Sequence, residues 1–131
     1  MSIHQEVSIA ASPDAIYTIL THAADFSAMT GGMAASIAPE SGGAFSLFDG
    51  YISGRNIELI PGKRLVQAWR AANWPEGQYS IIRFELTPNG DGATLVFDQI
   101  GHPDADAEHL TSGWSDRYWA PMKAMLAKGS G

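Results

Sequence analysis

The 131-residue chain contains no cysteine, which removes a disulfide framework, a thiolate nucleophile and any cysteine-based metal or redox centre. Positive charge is scarce as well. Eight Lys and Arg stand against 14 Asp and Glu, giving a net charge of -6. That balance argues against nucleic acid as a partner, because phosphate binding needs a basic patch, and against attraction to an anionic membrane surface. No apolar run approaches the ~20 residues of a membrane-spanning helix, so no membrane insertion is expected. The opening residues Met1-Ser2-Ile3-His4-Gln5-Glu6 lack the basic stretch and apolar run of a signal peptide. The chain reads as a cytoplasmic protein.

Apolar residues make up 45% of the chain and charged residues 17%, enough for one real core under a surface rich in small polar groups. At this length a single domain is expected, burying roughly two-thirds of the unfolded surface. No repeat, low-complexity segment or linker marks a second domain. The domain is assigned to residues 1–128, with Gly129-Ser130-Gly131 as a flexible tail by composition.

Ile3, Val7 and Ile9 alternate with His4, Glu6 and Ser8, so the chain opens on a half-buried strand, although Gln5 interrupts its apolar face. Ser12-Pro13-Asp14 then starts a helix: a hydroxyl to cap free amides, proline at the first helical position, and a carboxylate at the positive end of the dipole. Ile16, Ile19 and Leu20 form its buried stripe, and a second short helix follows over 23–29, stopped by Gly31-Gly32. Beyond it, turn chemistry at Ser41-Gly42-Gly43, Asp49-Gly50, Pro61-Gly62, Pro75-Glu76-Gly77 and Pro88-Asn89-Gly90 separates strand-like runs over 44–48, 51–60, 64–70, 79–86 and 93–100. Short runs at this spacing mean antiparallel hairpins.

A long helix is expected from 104 to about 128. Its helical wheel places Leu110, Trp114, Tyr118, Pro121 and Met125 within an arc of about 80°, with Met122 just beyond, and Glu108, His109, Asp116 and Lys123 opposite. Pro121 cannot donate a backbone hydrogen bond, which predicts a kink near 117–119. The architecture is therefore α+β, with a sheet of about six or seven antiparallel strands and this helix covering one face.

The order of elements resembles the helix-grip fold, also called Bet v 1-like, START-like or SRPBCC: a curved antiparallel sheet, two short helices after the first strand, and a long C-terminal helix packed across the sheet. Gly42-Gly43-Ala44-Phe45-Ser46-Leu47-Phe48-Asp49-Gly50-Tyr51-Ile52-Ser53-Gly54 is similar to the GG-x-F…DG-x-I-x-G stretch of the Hsp90 ATPase activator homologue-like family. Ile60-Pro61-Gly62-Lys63-Arg64-Leu65-Val66-Gln67-Ala68-Trp69-Arg70 resembles its next strand pair. Ser12-Pro13-Asp14-Ala15-Ile16-Tyr17 and the Gly113-Trp114…Tyr118-Trp119…Pro121 pattern resemble its first and last helices. The resemblance implies three functional classes: a module that holds a small apolar or amphipathic ligand in a closed cavity between sheet and helix, a chaperone-interaction domain, and a cyclase- or hydrolase-type enzyme. The first is the leading expectation.

The residues expected to line that cavity are Phe45, Phe48, Trp69, Trp74, Ile82, Phe84, Phe97, Trp114, Tyr118 and Met122, because aromatic walls with a few polar groups are how small apolar ligands are held. The same residue types also suit plain core packing. Trp74, in a turn before Pro75, and Trp119, at the edge of the apolar arc, are expected at the rim. Arg83, Asp98 and His102 are the candidate polar contacts: Arg83 and Asp98 as a pair from adjacent strands facing inward, and His102 as a solvated loop histidine between the last strand and the last helix. His4, His22, His102 and His109 lack ligand spacing, so no metal is expected. No cofactor and no catalytic residue is assigned: there is no nucleophile-elbow pattern and no phosphate-binding Lys-Ser or Lys-Thr after the glycines.

Overall fold

In the computed structural model of the protein, residues 2–129 are described. β1 (Ser2–Ile9) leads into α1 (Pro13–Thr21) and α2 (Ala23–Met29), followed by β2 (Ser36–Ile37), β3 (Ala44–Leu47), β4 (Ile52–Ile60), β5 (Arg64–Ala71), β6 (Ser80–Asn89) and β7 (Gly92–Ile100). The seven strands form one antiparallel sheet in the order β1-β7-β6-β5-β4-β3-β2. The first strand thus closes onto the last, and every other neighbour is a hairpin, as the turn spacing required. A 3₁₀ turn at Asp104–Asp106, α3 (Ala107–Trp114), a π-helical turn at Ser115–Trp119 and α4 (Ala120–Gly129) complete the chain. This is the helix-grip arrangement. Of the expected tail, Gly129 is the last residue of α4, and residues 130–131 lie outside the described residues.

Local chemistry explains the element boundaries. The Ser12 hydroxyl accepts from the Ala15 amide at 3.2 Å, with Pro13 at the first helical position and Asp14 in the first turn. Asn89 pairs with Gly92, leaving Gly90 (φ 62°) and Asp91 as a two-residue turn, tighter than the expected stop at Pro88. A bulge at Ile57 shifts the β4–β5 register between Asn56 and Glu58, so the inward positions change from Ile52 and Asn56 to Leu59, and alternation along this run is only partial.

The expected kink appears as a change of helix type. Pro121 has no N–H to offer the Arg117 carbonyl, and the Ala120 amide bonds Ser115 O, five residues back. One effect is that the adjacent residues Tyr118 and Trp119 are both buried. The rim position expected for Trp119 is therefore corrected: its indole is 5% exposed, and Nε1 donates to Gln5 Oε1 at 2.7 Å. The Gln5 amide in turn donates to Thr111 O at 3.1 Å. The polar residue that interrupts the apolar face of β1 is thus the acceptor that the helix needs.

A second clamp lies at the centre of the sheet. Trp114 Nε1 donates to Gln99 Oε1 at 2.8 Å, Gln99 Nε2 to Ser80 Oγ at 3.0 Å, and Ser80 Oγ to Trp69 O at 2.8 Å. All are buried. Around this relay the rings interlock: Trp114 lies 4.2 Å from Phe97, 4.4 Å from Tyr118 and 5.1 Å from Trp69 between centroids, and Phe84 lies 5.3 Å from Phe97. Such pairs add about 0.5–1.5 kcal/mol each beyond area burial. Interlocked rings thus occupy the space between the central strands and the middle of the helix.

Candidate functional site

The sheet and the helix part at one end. Beside the ends of β4 and β5, under α3 and the π turn, lies an open cleft of about 370 Å³. Ile52, Trp69 and Ala71 form its floor; Leu110, Gly113, Trp114 and Tyr118 descend from the helix; Met33 and Phe48 close the far side. Tyr51, Asn73, Trp74, Asp106, His109 and Arg117 complete its lining.

Each wall is held in place by bonds that the sequence explains. Phe48 and Asp49 adopt positive φ (53° and 58°), an uncommon conformation for residues with a side chain and a bulky one above all. Asp49 compensates by gripping the neighbouring segment. Its amide donates to Ala34 O at 3.1 Å, and its carboxylate accepts from the Ala34 amide at 2.6 Å. This sets Met33 against the cleft and turns the Phe48 ring inward, 5.5 Å from Phe26 and 5.7 Å from Tyr118. On the opposite side Arg70 ties down the β5–β6 loop, donating to Trp74 O at 2.8 Å, Pro75 O at 3.2 Å and Gln78 O at 3.2 Å. The loop so fixed lays Trp74 5.7 Å from Trp69. Trp74 is consequently buried rather than on the rim. Tyr51 donates to Asn73 Oδ1 at 3.0 Å across the edge.

The electrostatics of the cleft are mild. Burial pushes the Tyr118 hydroxyl well above its ordinary pKa, only partly countered by the Trp69 indole beside it, so Tyr118 is a neutral phenol. The ionisable Asp106, His109 and Arg117 are exposed or half-buried, and no hydrogen bond or ion pair joins their side chains among the described residues. No three His, Asp or Glu side chains gather as a metal-binding group among the described residues.

The structure divides the sequence-based candidates. Phe48, Trp69, Trp74, Trp114 and Tyr118 come together around the cleft. Phe45, Ile82, Phe84, Phe97 and Met122 are buried in the packed core outside it. Arg83 and Asp98 do pair, with Nη2 donating to Oδ2 at 2.9 Å, but on the outer face of the sheet. Their neighbours Ile82, Phe84, Phe97 and Gln99 point inward, so the two-residue period sends Arg83 and Asp98 out to solvent. Asp98 also meets His4 Nδ1 at 2.6 Å. His102 is not a solvated loop residue: it is 5% exposed, Nδ1 sits 2.9 Å from Pro103 O, and Nε2 is buried without a partner. It does not line the cleft. His109 and Arg117 do line it, although the helical wheel puts His109 on the outer side of the helix and no sequence pattern marks Arg117. Loops and the π turn create the cleft's mouth, and no periodicity announces either.

The family model described as Activator of Hsp90 ATPase homolog 1-like protein matches residues 10–127. Over 119 residues the chain is 29% identical to the human "Activator of 90 kDa heat shock protein ATPase homolog 1", covering 91% of this chain and 35% of that protein. It is 32% identical over 87 residues to the mouse "Activator of 90 kDa heat shock protein ATPase homolog 2", covering 66% of this chain and 26% of that protein. The chain therefore spans between 26% and 35% of the length of these curated relatives. Among solved structures, an HSP90 activator from Plasmodium falciparum superposes with a TM-score of 0.92 at 22% identity, covering 97% of this chain and 96% of that one. The Aha1 dimer from Colwellia psychrerythraea superposes with a TM-score of 0.83 at 25% identity, covering 100% and 99%. With the seven-stranded antiparallel sheet and the helix laid across it, these matches show that the chain belongs to the Activator of Hsp90 ATPase homolog 1-like family of helix-grip proteins.

Proposed function

We propose that the chain is a binding module that holds a small apolar or amphipathic molecule in the cleft between the β4–β5 end of the sheet and the C-terminal helix. The observation that carries this reading is the cleft itself, about 370 Å³ and walled by Trp69, Trp74, Trp114 and Tyr118. Clefts of ~300–1,000 Å³ with aromatic walls and few polar groups are the usual form of small-ligand sites. Trp114, one of those walls, also packs against Phe97 and Phe84, with ring centroids 4.2 and 6.1 Å away.

Gly113 supplies the test. It lines the cleft, and a Cβ added there meets no atom within 4 Å, so Gly113→Leu fills the cleft without distorting the helix. The wild-type protein is expected to show saturable changes in tryptophan emission, amide shifts and melting temperature when titrated with fatty acids and flavonoids, and Gly113→Leu to lose them while melting no lower. A variant that binds as well as wild type places the ligand elsewhere.

A second reading rests on a different observation, the curated relatives named as activators of a heat shock protein ATPase. In it the chain is a chaperone-interaction domain that works through an exposed surface; Tyr79, Ile81 and Ile100 on the outside of the sheet are 49%, 40% and 55% exposed. Stimulation of a purified Hsp90 ATPase would support it, and no association at micromolar protein would reject it.

A further inference from the structure

The two edges of the sheet are built differently. β2, at one edge, is two residues long and offers little backbone to pair with. β1, at the other, is eight residues long, keeps one register with β7 from Ser2 to Ile9, and holds no proline, lysine or bulge. Those are the usual devices for blunting an edge strand. The C-terminal helix is tied to the inner face of β1 rather than laid over its edge. Its anchor Gln5, bonded to Thr111 O and Trp119 Nε1, shares that face with Ile3 and Val7.

The backbone groups presented at this edge follow from the ladder. The Leu86 amide donates to Lys63 O at 2.8 Å, so even-numbered residues of β6 bond β5 and odd-numbered ones bond β7, because direction alternates along an antiparallel strand. No register shift interrupts β5–β6, β6–β7 or β7–β1. The alternation therefore carries through to β1, where Ile3, Gln5 and Val7 bond β7. Ser2, His4, Glu6 and Ser8 turn their N–H and C=O groups to the edge, and among the described residues none of these groups meets a backbone partner.

The residues of β1 select what pairs there, because the strand is complementary to itself. In a two-fold contact residue i meets j and j meets i, and inward residues must meet inward ones, since a slip of one residue exchanges the faces. A register centred on His4 sets two imidazoles together, and one centred on Glu6 sets two carboxylates together. Centred on Gln5, the overlap runs from Ser2 to Ser8. Ile3 then meets Val7 on the inner face, and His4 meets Glu6 on the outer face, where both are exposed. Within one chain Arg83, Asp98 and His4 lie side by side across β6, β7 and β1, joined at 2.9 and 2.6 Å. Glu6 of the second copy extends that row in alternating sign, and opposite charges directly across a strand pair are stabilising. His4 also meets Glu6 of its own chain at 3.1 Å, so each imidazole at the seam has only carboxylates as charged neighbours.

We propose that β1 is a self-association edge: two copies of this chain pair through it, antiparallel and centred on Gln5, joining two seven-stranded sheets into one. The contact is independent of the cleft, whose lining includes no residue of β1. Sedimentation of the full chain from micromolar to millimolar protein should show a concentration-dependent dimer. Amide hydrogen exchange carries the register. His4, Glu6 and Ser8 should gain protection as the dimer fills, whereas Ile3, Gln5 and Val7 are protected at every concentration. Glu6→Lys sets like charges opposite each other twice across the seam and is expected to raise the dimer Kd about ten-fold or more. His4→Glu should do the same. An equimolar mixture of the two variants restores opposite charges at both contacts and should associate as wild type does. Where His4→Glu fails to fold, Ser8→Pro decides the matter: its lost N–H faces the edge, so the β1–β7 ladder survives while the seam is blocked. A chain that stays monomeric throughout, a dimer whose new protection falls on other amides, or a Glu6→Lys variant that associates as well as wild type overturns the proposal. Protection of His4, Glu6 and Ser8 that does not depend on concentration also overturns it, since the edge is then covered within the chain.

Discussion

Replacing Gln99 with leucine tests whether the C-terminal helix is anchored by a hydrogen bond or merely by apolar contact. Gln99 is 0% exposed; it accepts from Trp114 Nε1 at 2.8 Å and donates to Ser80 Oγ at 3.0 Å. Leucine nearly preserves its volume, so the cavity contribution is small, but the indole N–H is left buried with no acceptor. That desolvation costs about 1–3 kcal/mol. Ser80 keeps its donation to Trp69 O, so a loss near 2 kcal/mol is the central estimate. For a domain of this size it corresponds to a fall in melting temperature of roughly 5–10 °C. Trp114→Phe removes the donor instead and leaves the Gln99 oxygen unpaired, with an added cost for lost ring volume. The double variant removes both partners and with them the unpaired group. A double-mutant cycle by urea denaturation should therefore show the pair less destabilised than the sum of the singles by about 1–2 kcal/mol. Additivity within about 0.5 kcal/mol, or a neutral Gln99→Leu, would refute the reasoning and leave ring packing as the sole anchor.

Three further outcomes follow from named contacts. Gly54→Ala should cost at least about 2 kcal/mol, because a Cβ at that position is driven into the Ala68 carbonyl of the neighbouring strand and lies 2.7 Å from Phe45 Cζ; denaturation that leaves the midpoint unchanged counts against it. Trp119→Phe deprives Gln5 of its donor and should lower stability by about 1–3 kcal/mol, with faster exchange of the Thr111 region; unchanged protection there would contradict the clamp. The third concerns pH. The His4 imidazole is raised above its ordinary pKa by its hydrogen bond to Asp98 and then by that to Glu6. Partial burial opposes the Asp98 charge, but hydrogen bonds from His4 and Arg83 outweigh it and hold that carboxyl below its ordinary value. The raised histidine contributes stability that is complete below pH 6.5 and disappears as pH climbs through its folded value; the lowered carboxylate contributes above pH 3.8 and loses that as pH falls through its own. The pair is thus strongest between those limits. An NMR titration of Asp98→Asn should show the His4 midpoint falling toward 6.5, and an unmoved midpoint would break the link.

Part of the site was legible because its determinants are local. The Ser12-Pro13-Asp14 start acts within one helical turn. The irregularity before Pro121 follows from a missing N–H that no tertiary contact restores. Pairing of Arg83 with Asp98 followed from a hairpin register, but their side of the sheet did not. Arg83, Asp98 and Gln99 are all polar strand residues, and only the burial of their neighbours decides that Gln99 alone turns inward.

The sequence by itself determined the sheet and the helix that covers it, since turn residues, alternation and a helical apolar arc are short-range patterns that survive in any compact state of the chain, while the family rests on the resemblance of its motifs and the match over residues 10–127. Tertiary structure decided which indoles are satisfied and where the helix stands off the sheet. Trp119 meets its acceptor 114 residues away and Trp114 meets one on the last strand, while Trp69 meets none. Such partnerships depend on where distant backbones come to rest, and residue types alone do not encode them. The cleft has the same origin. It lies beside the packed rings of Phe84, Phe97 and Trp114, where loops held by Asp49 and Arg70 border it.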